Sequence, residues 1–330
     1  MSAGLPSLLL LLAQMTLLVF LLRLSRSSPP LYSPPTAVLL SEVAKLLFCC
    51  FYLPYSTSEP LPALLKEHVL DSPRILLKLC VPSLLYCVQN QLLFAALTHL
   101  PAGTYQALYQ LKILTTALFS VAFLARKLSR KQCLALLSLT LGAALCQLSG
   151  SEEASGGAGD KTAGIACVLA ASCTSGFAGV YFELMLKTKG TSLWVRNLQL
   201  ALPSVAFAGL SALGSQDVRM YGFFYGYSPV VWVVILLQSL GGFLVAMVVA
   251  RHSNLAKVIT ASLSVVSSSF VGWLFLGFQP DLKFAAGAAV VVGSAAVYAA
   301  NPYRETAKDT ELPSVKAPLV GGGEEGKQER

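Results

Sequence analysis

Apolar residues run through this chain in long blocks, broken by short groups of charged, Pro or Gly residues. A membrane span needs about 20 mostly apolar residues to cross ~30 Å of hydrocarbon. Ten blocks reach that length, near residues 5–24, 36–55, 76–97, 102–124, 132–150, 163–185, 194–214, 228–249, 254–276 and 282–300. The link between the third and fourth carries no charge; Pro101-Ala102-Gly103 marks it as a tight turn. The first block has no basic residue before it and no small-residue cleavage site after it, so it is read as a span and not as a signal peptide. The expected fold class is all-α: a polytopic membrane protein with ten transmembrane helices.

The organisation follows. Five spans fill residues 1–150, an acidic Gly-rich loop occupies 151–162, five more spans fill 163–300, and a polar tail runs from 301 to 330. An odd number of spans per half inverts the second half relative to the first, a plan common among transporters that hold substrate at the midplane between halves. A weak echo supports two inverted five-helix repeats. Phe123-Leu124-Ala125-Arg126 ends the fourth span and Phe275-Leu276-Gly277-Phe278 ends the ninth. The tail is rich in Pro, Gly and charges of both signs and is expected to be disordered.

Charge adds an orientation. The chain carries +8, is only 12% charged, and has a mean hydropathy of +0.66. Its basic residues lie mostly in short loops, so topology explains them and a nucleic-acid partner is not expected. With a cytosolic N-terminus, sixteen Lys and Arg fall on the cytosolic side and five opposite. By the positive-inside rule both termini are then cytosolic, with the 151–162 loop lumenal.

Three lysines remain inside spans. Lys78 lies near a span end and can snorkel. Lys45 follows Glu42 by three residues, which suits an intrahelical ion pair, with a gating or cavity-lining role as the alternative. Lys112 lies almost mid-span with no carboxylate three or four residues away, where an unpaired lysine costs about 2.5–3.5 kcal/mol on insertion scales. Tyr105 and Tyr109 share its helix face. Two tyrosines and a cation on one stripe suit an anionic ligand with an aromatic or sugar moiety; a carboxylate from another helix would be the structural alternative, and only Glu42 lies clearly within a span. Lys257 opens the ninth span, where position alone favours an anchor. Asn90 and Asn197 suit helix–helix bonding and ligand binding equally.

The eight cysteines lack zinc-ligand spacing and are read as small hydrophobes. The three histidines form no cluster, and no Walker loop, HExxH or GxSxG is present. Neither a cofactor nor an enzyme is expected.

Several longer stretches resemble the nucleotide-sugar transporter family of the Golgi and endoplasmic reticulum, in its branch for UDP-galactose, UDP-N-acetylglucosamine and CMP-sialic acid. They are Thr104 to Ser120, Phe177 to Glu183, Trp194 to Gln199 and Gly222 to Tyr227, with further likeness at Arg23 to Arg26 and Thr36 to Lys45. The resemblance implies a drug/metabolite transporter-like fold in the Golgi membrane. It implies import of a nucleotide sugar in exchange for the nucleoside monophosphate. Lys112 and Lys257 would hold the phosphates. Tyr105, Asn90 and Asn197 would line the nucleotide pocket, and Tyr109 and Gln106 complete the expected substrate-binding set. Where the family usually reads Lys-Tyr-Ala-Asp-Asn-Ile-Leu-Lys-Gly, this chain has Ala250-Arg251-His252-Ser253-Asn254-Leu255-Ala256-Lys257-Val258; Gln91 stands where an asparagine is usual. The expected substrate is UDP-galactose or UDP-N-acetylglucosamine. The rivals are CMP-sialic acid, another metabolite on the same plan, and a non-transporting scaffold for glycosyltransferases. Partner states left open are a homodimer and a glycosyltransferase complex; the endoplasmic reticulum is the alternative location.

Overall fold

A computed structural model of the chain describes residues 5–26, 29–57, 59–149, 160–187, 192–276 and 279–302. Most of the 151–162 loop and of the 301–330 tail lies outside the described residues.

The apolar blocks become helices because a backbone in hydrocarbon must satisfy its own N–H and C=O groups. In chain order they are α1 (Leu5–Ser25), α2 (Pro34–Thr57), the short α3 (Leu61–Leu65), α4 (Pro73–His99), α5 (Ala102–Tyr109), α6 (Lys112–Leu124), α7 (Arg130–Leu148), α8 (Lys161–Leu186), α9 (Leu193–Gly214), the short α10 (Gln216–Tyr221), α11 (Pro229–Arg251), α12 (Asn254–Leu276) and α13 (Leu282–Ala300). One π-turn, Lys66–Leu70, follows α3. Ten stretches are long and apolar enough to cross a membrane, with α5 and α6 together making one. Large apolar side chains face outward from them. Phe51 is 80% exposed and Leu141 and Leu213 are 71% exposed, a surface suited to lipid and not to water. The chain is a polytopic α-helical membrane protein.

The structure departs from the sequence pattern in the fourth span. The apolar run 102–124 is continuous in sequence but its helix breaks between α5 and α6. Gln110 N–H bonds Ala107 C=O and Leu111 N–H bonds Leu108 C=O, each three residues back, so the turn tightens. The hydroxyls of Thr115 and Thr116 both donate to the Lys112 carbonyl, at 3.2 and 2.6 Å, a local competition that bends helices. Lys112 therefore begins a new helix at mid-depth.

Helix packing is dominated by α7 against α13, α4 against α8, and α2 against α9, with α1 seated between α11 and α12. The α7–α13 crossing is close because glycines face each other. A Cβ on Gly287 would lie 2.8 Å from the Gly142 carbonyl oxygen and 2.9 Å from the Cys146 nitrogen. At one end of this pair Asp281 caps α13. It accepts from the Phe284 N–H at 2.8 Å and from the Ser149 hydroxyl. The Ser149 donor and then the Phe284 amide hold the Asp281 carboxyl below the ordinary carboxylate value. The cap is thus ionised, and its contribution present, throughout the neutral range; it is lost only as pH falls through that lowered value.

The helix α6 ends on Ala125, at φ 49° and ψ 31°, the left-handed region that normally favours glycine. That turn delivers Arg126, whose N–H bonds the Ser120 carbonyl at 3.2 Å. Ala125→Gly should relieve the conformation and raise stability by about 0.5–1 kcal/mol. A thermal midpoint in detergent that does not rise would contradict this.

Candidate functional site

The break between α5 and α6 assembles one side of the site. The rings of Tyr105 and Tyr109 stack, with centroids 6.3 Å apart and planes 7° from parallel. The Lys112 Nζ sits 4.2 Å over the Tyr109 ring, a cation–π contact. The Tyr109 hydroxyl donates to Ser175 on α8 at 3.3 Å. The stripe expected on one continuous helix face thus survives the break, and both tyrosines also pack against Ala96, Leu100 and Val168.

Lys257 enters from α12, in its first turn, where Lys257 N–H bonds the Ser253 carbonyl. Lys112 and Lys257 both lie in the first turns of their helices, α6 and α12, and those helices are in contact. Among the described residues neither ammonium has a carboxylate within ion-pairing distance. An anion of charge near −2 would suit two such cations.

A cavity of about 420 Å³ lies between α2, α4, α9 and α11, and Lys112, Lys257, Tyr105 and Tyr109 are not among its lining residues. Its polar lining includes Glu42, Tyr86, Asn90, Gln91 and Gln238. It reaches Pro34 and Pro35 at the start of α2, so it approaches that end of the bundle. Tyr86 belongs to α4, which also packs against α5, the helix of Tyr105 and Tyr109. Glu42 does pair with Lys45, at 2.6 Å, and the same carboxylate faces the cavity.

Toward the other end of α2 the lining gives way to aromatic rings. The rings of Phe48, Tyr52, Trp194 and Phe243 pack on one another there, with Tyr52 and Trp194 centroids 4.4 Å apart. Nearby, Glu183 has no exposed surface and binds Arg126 at 2.8 Å and Lys187 at 2.6 Å.

The structure places the three expected amides differently from one another. Asn90 lines the cavity, away from the stacked tyrosines. Asn197 is buried and its amide donates to the Leu193 carbonyl of its own helix at 2.9 Å, so here it serves α9 and not the cavity. Gln106 is exposed and outside the cavity lining. On sequence alone only Glu42 lies clearly within a span, whereas Glu183 is the most deeply buried carboxylate among the described residues. The available signal is Lys187, four residues after Glu183, an ion-pair spacing that looks like ordinary loop charge without the fold.

A sequence profile of nucleotide-sugar transporters matches residues 3–299. The chain belongs to the nucleotide-sugar transporter family. Members of that family are membrane transporters and not enzymes. The chain is 43% identical over 316 residues to the UDP-N-acetylglucosamine/UDP-N-acetylgalactosamine transporter nstp-4 of Caenorhabditis elegans, covering 90% of this chain and 93% of that one. It is 42% identical over 304 residues to the UDP-galactose translocator of Homo sapiens, covering 88% and 76%. It is 40% identical over 318 residues to the UDP-N-acetylglucosamine transporter of Rattus norvegicus, covering 92% and 97%. A crystal structure 16% identical in sequence superposes with a TM-score of 0.62 over 89% of this chain and 97% of the other, which shows the fold alone. A nucleotide sugar presents both phosphates and sugar hydroxyls to a transporter of this family. The phosphates demand positive charge, and the sugar hydroxyls demand hydrogen-bond partners.

Proposed function

We infer that this protein imports a UDP-sugar, UDP-galactose or UDP-N-acetylglucosamine, into the Golgi lumen in exchange for UMP. The observation that carries the reading is that Lys112 and Lys257 lie on contacting helices of different halves, neither paired with a carboxylate among the described residues. A sugar nucleotide diphosphate carries close to two negative charges, which two lysines at low dielectric offset far better than water-exposed ones would. The stacked Tyr105 and Tyr109 and the cavity residue Asn90 flank the ligand. Asn197 and Gln106 join the binding set only if helix movement brings them to it.

The halves 1–150 and 163–300 form two inverted repeats in this reading. Helix contacts support it: α4 packs on α8 as α1 packs on α11, and α6 packs on α8 as α12 packs on α1. These pairings interchange when each helix of one half is swapped for its counterpart in the other. The distribution of basic loops supports cytosolic termini. The cavity then approaches the lumen, and rocking of the halves would expose the same site to the cytosol.

The printed names of the relatives favour a UDP-sugar over CMP-sialic acid. Uptake into proteoliposomes preloaded with UMP, CMP or phosphate tests this directly. UMP-stimulated uptake of a labelled UDP-hexose, without stimulation by phosphate, is expected. Stimulation by CMP with CMP-sialic acid, or by phosphate with a sugar phosphate, would reassign the cargo. Folded protein that exchanges nothing would favour the scaffold reading.

A further inference from the structure

The geometry points to Glu183 as a reversible latch that seals the closed end of the carrier and ties that seal to the substrate phosphate through α12. This rests on the alternating-access reading above. Glu183 lies at the end of α8, fully buried, and one carboxylate holds three elements together. Its Oε1 accepts from Arg126 at 2.8 Å, on the link that follows α6. The same oxygen accepts from Lys187 at 2.6 Å, one turn further along the chain. Its Oε2 accepts from the backbone N–H of Asn254 at 2.8 Å, at the start of α12. Lys187 also donates to the His252 carbonyl at 3.0 Å, fastening the end of α11.

The Asn254 side chain packs directly on α8. A Cβ on Gly179 would collide with its Nδ2 and lie 2.8 Å from its Cγ and Oδ1, so α8 presents bare backbone there. Asn254 itself is 1% exposed and its Oδ1 has no hydrogen-bond partner. A buried acceptor without a donor costs free energy, so the closed arrangement holds an element that gains on opening to water.

The arrangement is built to open. A buried carboxylate stripped of its cations is strongly unfavourable, which would lock an ordinary buried pair. Here one cation, Lys187, is on the segment that continues α8 and travels with Glu183. Arg126 and the α12 amide belong to other elements and can leave. The side chains of Arg126 and Lys187 are 22% and 37% exposed, so neither is sealed in with the carboxylate.

The connection to cargo is short. Asn254 and Lys257 share the first turn of α12, and Glu183 lies near enough for its charge to act on Lys257. A phosphate drawing on Lys257 pulls on the turn that Glu183 holds. Ser253 keeps that turn formed, its hydroxyl accepting from the Ala256 N–H at 3.1 Å.

The test uses Glu183→Gln, which keeps the shape and an acceptor for Asn254 but removes the charge. The reporter is Val249→Cys, a position with no exposed surface at the closed end, in a full-length background whose eight cysteines are replaced by alanine. Labelling by a membrane-impermeant maleimide should be slow with Glu183 present and about tenfold faster with Gln. Apparent UMP affinity should weaken from the cavity side and improve from the closed side by a similar factor, a split that simple loss of folded protein does not give. Equal labelling rates and unchanged affinities would overturn the latch. If Glu183→Gln does not fold, Arg126→Gln carries the same expectation and the same refutation. Labelling needs no transport. A labelling increase without exchange of any nucleotide would sink the carrier reading alone; exchange without a labelling change would sink the latch alone.

Discussion

Replacing Lys112 with alanine is expected to lower UMP-driven UDP-sugar exchange by about 100-fold at subsaturating substrate, while leaving the thermal midpoint unchanged or higher. Hydrogen bonds to charged groups contribute about 1.5–3 kcal/mol, and each 1.4 kcal/mol is tenfold in affinity. The Lys112 ammonium sits over the Tyr109 ring without an acid partner, so no carboxylate is orphaned by its removal. Taking an uncompensated cation out of the membrane interior removes a cost of about 2.5–3.5 kcal/mol. Activity and stability should therefore move in different directions. Lys112→Arg keeps the charge but replaces a compact ammonium with a planar fork, and partial exchange is expected. Wild-type exchange by the alanine variant would remove Lys112 from the site. A matched fall in midpoint and activity would show that the lysine serves the fold.

The largest stability effect is expected at the α7–α13 crossing. Gly287→Val should destabilise the protein by about 3 kcal/mol, at the upper end of ordinary overpacking. The new Cβ would meet backbone atoms, the Gly142 carbonyl oxygen at 2.8 Å and the Cys146 nitrogen at 2.9 Å. Backbone cannot swing aside as a side-chain tip does, so the helices must separate. Separation forfeits the packing of Phe284, Ala143 and Cys146 in the adjoining core. Thermal unfolding in detergent measures this. A midpoint within a degree of wild type would mean the crossing is looser than its geometry. Gly293→Val, on the same helix with open space around it, is the control and should be tolerated.

Together these outcomes separate two kinds of position. Lys112 is expected to cost the fold and to serve an anionic ligand. Gly287 is retained for the fold alone, because any larger side chain would push α7 and α13 apart. The Glu183 cluster belongs to neither kind: it stabilises one conformation of the carrier at the expense of another.

The ten spans were legible because transfer into hydrocarbon is summed locally along the chain. Twenty apolar residues are enough, whatever lies elsewhere. Lys112 was legible for the same reason, since a lone cation in an apolar run is conspicuous without a structure. The Tyr105–Tyr109–Lys112 stripe was legible from helical spacing, although the helix breaks between its members. That break was not legible: no Pro or Gly marks residues 110 and 111, where the backbone bonds tighten to three-residue turns. The roles of Asn90 and Asn197 were equally undetermined in one dimension. An intramembrane amide can serve a ligand or its own helix, and only the position of its neighbours decides. Glu183 shows the limit most plainly. Its partners lie at residues 126, 187 and 254, and only the near one had a spacing that sequence could expose. Hydrophobic partition is additive along the chain and therefore readable in it. Charge pairing and close helix contact join residues far apart in sequence, and only the tertiary structure decided which would meet.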